Sequence, residues 1–236
     1  MFATKYHVTR SFLRLGIIIT GLLSSIIGVL AYFGQNMGTF VISLDNTVYE
    51  ANIVLSDRAD FATASPRLLV TPVTDTWPVC YTDLKIEEIK ATDGDFADKE
   101  GLTYIGYTFY LKNEGNTKVD IEFAVNIISI TLDLDECLRF MLIEDDVKET
   151  IYMKSDSAPK NDCDHTPDDL CQDFLSDSYI CKSQIESFRP NEVKKFSVII
   201  WLEGWDEDCT NDKMGGQMRM EMVFSIVKTI LEEENA

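Results

Sequence analysis

Two acidic runs offer sets of oxygen donors to a cation. Asp93, Asp95, Asp98 and Glu100 form one; Asp206, Asp208 and Asp212 form the other. Ca²⁺ takes about six to eight oxygens, and turn-borne carboxylates and carbonyls supply them. Neither run has the D-x-D-x-D-G order of an EF-hand loop, so each is a candidate Ca²⁺ site with ordinary solvated carboxylates as the plain alternative. No other cofactor is expected. Six cysteines, Cys80, Cys137, Cys163, Cys171, Cys181 and Cys209, form a second chemical set. Cys163, His165, Cys171 and Cys181 offer four zinc-type ligands, but without the short C-x2-C knuckles of structural zinc sites. Disulfides are therefore expected, with buried reduced thiols as the other reading. Sequence does not choose the connectivity.

Catalytic machinery is absent from the pattern. Nucleophilic catalysis by Ser or Cys needs a base, and the only histidines are His7 and His165. No G-x-S-x-G, H-E-x-x-H or phosphate-cradling glycine loop occurs. Paired carboxylates hydrolyse glycosides, but a chain with 40 acids satisfies that pairing by abundance alone. A non-enzymatic protein is expected. Among the tryptophans, Trp201 lies in an apolar run and reads as core. Trp77 and Trp205 are the aromatic surfaces left for a carbohydrate or other ligand, with Trp205 in the acidic loop as the binding candidate.

What positions these groups follows from charge and periodicity. The chain has 236 residues and a net charge of −19, so nucleic acid is not an expected partner. Residues 15–33 carry no charge; as a helix they span about 28 Å, the thickness of a bilayer's apolar core. Lys5, Arg10 and Arg14 precede this run, and the first acid is Asp45. The positive-inside rule places the N-terminus in the cytoplasm and the rest outside. The run is long for a signal peptide, and no clean small-x-small cleavage site follows. The expected organisation is a short cytoplasmic segment (1–14), a transmembrane signal anchor (15–33), and one extracellular domain (36–230) of a single-pass cell-membrane protein.

After the anchor the period is two. Val119, Ile121, Phe123, Val125 and Ile127 alternate with Asp120, Glu122, Ala124 and Asn126. Met218, Met220, Met222 and Phe224 alternate in the same way. Residues 38–44 and 47–55 read as a hairpin across Asp45-Asn46, and 138–143 and 149–153 as another across Asp145-Asp146. Residues 84–90 alternate in part, 103–112 and 194–202 read as strands, and 168–176 as one short helix. The region 155–190 reads as a cysteine-rich insertion. Many short strands argue an all-β fold, an antiparallel β-sandwich of jelly-roll or Ig-like kind.

Three stretches carry a family resemblance. Gly38-Thr-Phe-Val-Ile-Ser-Leu44 follows the apolar segment directly. Tyr110-Leu-Lys-Asn-Glu-Gly115 ends a central strand in an N-x-G turn. Val198-Ile-Ile-Trp-Leu-Glu-Gly204 and Met218-Arg-Met-Glu-Met-Val-Phe-Ser225 close the domain. This layout resembles the TasA and camelysin-type exported proteins of Gram-positive bacteria and their anchored relatives. The chain departs from the filament-forming members in its six cysteines and in lacking a cleavage site. The resemblance implies a sandwich fold and a surface or biofilm-matrix role. It also implies homo-oligomers built by strand pairing through Phe40, Ile42 and Leu44. The alternative is a monomeric extracellular module binding a ligand or Ca²⁺.

Overall fold

The clean alternation of residues 119–127 and 218–224 forms two neighbouring strands in the middle of one sheet. The computed structural model describes residues 38–73, 77–96, 103–155, 167–204 and 206–227. Twelve strands make two sheets. They are β1 (Gly38–Leu44), β2 (Ile53–Ser56), β3 (Arg67–Leu69), β4 (Gly94–Asp95), β5 (Ile105–Asn113) and β6 (Val119–Ile130), then β7 (Leu138–Glu144), β8 (Lys148–Met153), β9 (Cys171–Asp173), β10 (Tyr179–Phe188), β11 (Val193–Leu202) and β12 (Met218–Ile226). One sheet has the order β10-β6-β12-β1-β3. The other runs β2-β5-β11-β7-β8-β9, with β4 also on β5. The fold is all-β. No helix among the described residues is long and apolar enough to cross a membrane. The expected anchor, residues 15–33, lies outside the described residues.

The sheets face each other across aromatic rings. Phe123 of β6 meets Phe196 of β11 edge-on at 5.6 Å. Phe224 of β12 lies 6.2 Å from Phe109 of β5, and Phe40 of β1 lies 5.7 Å from Phe140 of β7. All six rings are buried. Each stands at an inward-facing position of its own strand, where side chains alternate between the two faces.

A second apolar cluster covers the outer face of the larger sheet. Met141, Ile143, Ile151, Ile199 and Trp201 pack there under Leu84, Ile89, Phe96 and Tyr104. Burial on both faces explains why β7 and β11 read as continuous apolar runs. Ile89 sits on a short helix, Ile86–Lys90. The partial alternation of 84–90 is therefore a helix rather than a strand.

Other expectations are corrected in the same way. Residues 38–55 do not form a hairpin. The Asp45 carboxylate caps a helix, Asn46–Glu50, accepting from the Thr47 and Val48 amides at 2.8 and 3.0 Å. Val48 is fully buried, and β1 and β2 part into different sheets. Residues 168–176 form a single 3-10 turn followed by β9, not one helix. The turn after β5 carries the chain from one sheet to the other. Asn113, fully buried, donates to the carbonyls of Thr117 and Phe188 and accepts from the Gly115 amide at 2.9 Å. A Cβ on Gly115 would stand 2.4 Å from the Ala51 carbonyl oxygen, so the turn needs glycine there. The second expected hairpin is present as β7–β8. Asp145 and Asp146 both take positive φ, as a tight hairpin turn of matching twist requires.

Burial gives the fold an alkaline limit. The Cys181 thiol of β10 lies in the core, and desolvation pushes it from 9.0 up to about 12. Burial also raises Tyr107, Tyr110 and Tyr152. A raised acid stays neutral in the fold while its unfolded form ionises. The contribution of these groups is therefore expected to be flat below pH 9 and to fall between about pH 9 and 12. Cys181→Ala is expected to make that fall shallower by up to about 4 kcal/mol, read from denaturant midpoints across the range. An identical slope in the variant would refute the assignment.

Candidate functional site

The first strand is interior to its own sheet. β1 pairs in parallel with β12, from Gly38 opposite Met218 to Leu44 opposite Phe224. On its other side β3 covers Val41 to Ser43. Phe40 and Ile42 point into the core and are 1% and 0% exposed; Leu44 is half-buried against it. The strand begins at a close approach. Gly38 has φ +144°, and a Cβ there would stand 1.7 Å from the Met218 carbonyl oxygen. On the opposite face the Ser43 hydroxyl donates to Glu221 at 2.9 Å.

The first acidic run works as stitching. Asp93 accepts from the Tyr110 hydroxyl at 2.8 Å, and Asp95 accepts from the amide and hydroxyl of Thr71 at 3.0 and 2.7 Å. These bonds tie residue 71 to β4 and Asp93 to β5. Asp98 and Glu100 lie outside the described residues. In the second run, Asp206 is buried and holds Arg139 of β7 at 2.6 Å. Its other oxygen accepts the Asp208 amide at 2.9 Å. Asp212 accepts from the Thr210 hydroxyl, which holds its carboxyl below the usual range. Among the described residues, no three His, Cys, Asp or Glu side chains gather as a metal cluster.

The loop that carries the second run is strapped to the segment before β7. The Glu203 amide donates to the Cys137 carbonyl at 2.9 Å, and Thr131 exchanges bonds with Gln217. Lys213 pairs with Glu136. Trp201, fully buried, donates its indole N–H to Glu203 at 3.1 Å, so it belongs to the core as expected. Trp77 is 68% exposed, and Trp205 lies outside the described residues.

Apart from Cys137 and Cys209, the described cysteines fall in separate places. No disulfide joins two described cysteines. Cys137, Cys171, Cys181 and Cys209 carry thiols, Cys80 is disulfide-bonded, and Cys163 lies outside the described residues. The Cys137 thiol donates to the Leu134 carbonyl at 3.8 Å. Interaction with Cys209, with burial, raises Cys137; the same interaction lowers Cys209. No protein-family description and no curated protein matches the chain.

Two features escape the sequence reading. One is the buried Arg139–Asp206 pair; its signal is a lone cation inside the apolar run Leu138–Ile143. The other is the thiol pair, which no spacing rule brings together. Chemically, the strapped loop offers a desolvated ion pair and two neighbouring thiols. The first strand offers apolar side chains, Phe40 and Ile42, that fill the core.

Proposed function

We propose that this is a non-enzymatic, membrane-anchored surface protein whose β-sandwich domain associates with further copies by exchanging β1. The single observation behind this reading is the position of β1. It follows the N-terminal apolar segment, lies parallel to the last strand, and fills the core with Phe40 and Ile42. A terminal strand with buried side chains leaves a groove beside β12 when it is withdrawn, and a second copy of the same strand fits that groove. Only three residues of β3 lie beyond it. The charge asymmetry around residues 15–33 supports export, and the surface-matrix resemblance supports the role.

The test uses the directly paired positions Ser43 and Val223. A chain with Ser43→Cys is mixed with a differently tagged chain carrying Val223→Cys, both full-length in detergent, and oxidised. Exchange is expected to give covalent heterodimers linked through 43 and 223 by peptide mass mapping. Light scattering is expected to show oligomers of the unmodified chain. Crosslinking only within a single doubly substituted chain, together with a monomeric mass, would overturn exchange and leave a monomeric binding module.

A further inference from the structure

We propose that Cys137 and Cys209 are disulfide partners, and that their bond staples the acidic loop to the start of β7. Two backbone hydrogen bonds and one ion pair bring them together. The β11–β7 ladder ends at Leu202 opposite Leu138, so Glu203 and Cys137 come next, and the Glu203 amide binds the Cys137 carbonyl. Asp206 is then held down by Arg139 at 2.6 Å. From there the chain turns back, with the Cys209 amide donating to the Asp206 carbonyl at 2.9 Å. The turn returns Cys209 toward Cys137, and the two thiols are near enough to shift each other's proton affinity. Both side chains belong to the same apolar core.

The other described thiols are placed elsewhere. Cys181 of β10 lies in the core between the sheets. Cys171 of β9 lies with the outer cluster, its thiol on the Pro167 carbonyl.

The oxidant is a disulfide, either small or carried by a protein. Cys209 is the half-exposed thiol and Cys137 the buried one. Cys209, as thiolate, attacks the oxidant's disulfide and expels one thiolate, which takes up a proton. Cys137 then loses its proton and attacks the mixed disulfide, forming the Cys137–Cys209 bond and expelling the second thiol. Two protein thiols are oxidised and one disulfide is reduced to two thiols. In the cell this step rests on the exported reading, because only there does such a bond persist.

The experiment uses the full chain in detergent, reduced and then equilibrated with oxidised glutathione. Non-reducing peptide mass mapping is expected to find 137 linked to 209. The melting temperature is expected to rise by about 10 °C over the reduced protein. That rise should be clearly smaller in Cys209→Ser, where only the Cys80 bond re-forms, and unchanged in Cys171→Ser. Both thiols alkylated at the end point, or either one bridged to a different cysteine, would overturn the pairing. Alkylation in intact cells separates the two claims. Labelling of these thiols there, with the bond still forming in vitro, would refute export and not the pairing.

Discussion

Replacing Asp206 by alanine is expected to destabilise the domain by about 3–5 kcal/mol. The side chains of Arg139 and Asp206 are 8% and 0% exposed, and they meet at 2.6 Å. A buried guanidinium beside a carboxylate roughly balances its own desolvation. Without the carboxylate that balance is gone. Arg139 keeps a 3.4 Å contact to the Leu138 carbonyl, which does not offset a buried charge. Asp206 also anchors the Asp208 amide, so the turn toward Cys209 loosens as well. The double variant Arg139→Met/Asp206→Leu is expected to recover most of the loss, because the cost lies in the orphaned charge and not in the missing attraction. Guanidinium denaturation of the three proteins measures both quantities. A loss under about 1 kcal/mol in Asp206→Ala would mean that water reaches Arg139.

Phe40→Ala is expected to cost about 3–5 kcal/mol. The ring is 1% exposed and meets Phe140 edge-on, so it joins the two sheets. Truncation loses the transfer energy of the ring and leaves a void that rigid strands close poorly. Ser43→Ala is the control on the opposite face of the same strand. It removes one partly buried hydrogen bond to Glu221 and is expected to cost only about 1 kcal/mol. The ratio between the two separates a strand that fills the core from one that merely lies along an edge. Equal small losses would place β1 outside the folding unit and remove the basis for strand exchange.

The sequence was most legible where one face of a strand meets a different environment from the other. β6 and β12 alternate cleanly because their inner residues face the rings and their outer residues do not. β7 and β11 show no alternation because the second cluster covers their outer face, and a continuous apolar run does not say what covers it. The helix Ile86–Lys90 has five residues, too few for a period of 3.6 to stand apart from a period of two. The hairpin expected across Asp45 fails because Asp and Asn serve both as turn formers and as helix caps, and the burial of Val48 selects the cap. At the candidate site the cation in β7 is visible in the sequence, but its partner lies 67 positions away. Contacts of that separation come from sheet order, which local pattern does not encode. The acidic run at 93–95 reads as oxygen donors for an ion; its two carboxylates accept hydrogen bonds from Tyr110 and Thr71, contacts that the spacing does not reveal.

The parallel seam between β1 and β12 has a mechanical meaning. Residue 38 enters at one end of this ladder and residue 226 leaves at the other, about 20 Å along the strands for seven paired residues. Tension applied between those two points draws the strands lengthwise past each other. Every hydrogen bond of the seam then bears load together, as in a lap joint. A hairpin pulled from its open end breaks its bonds singly. Gly38, pressed against the Met218 carbonyl, is the lip of that joint. The order of the strands thus makes the first and last segments of the domain its tensile element.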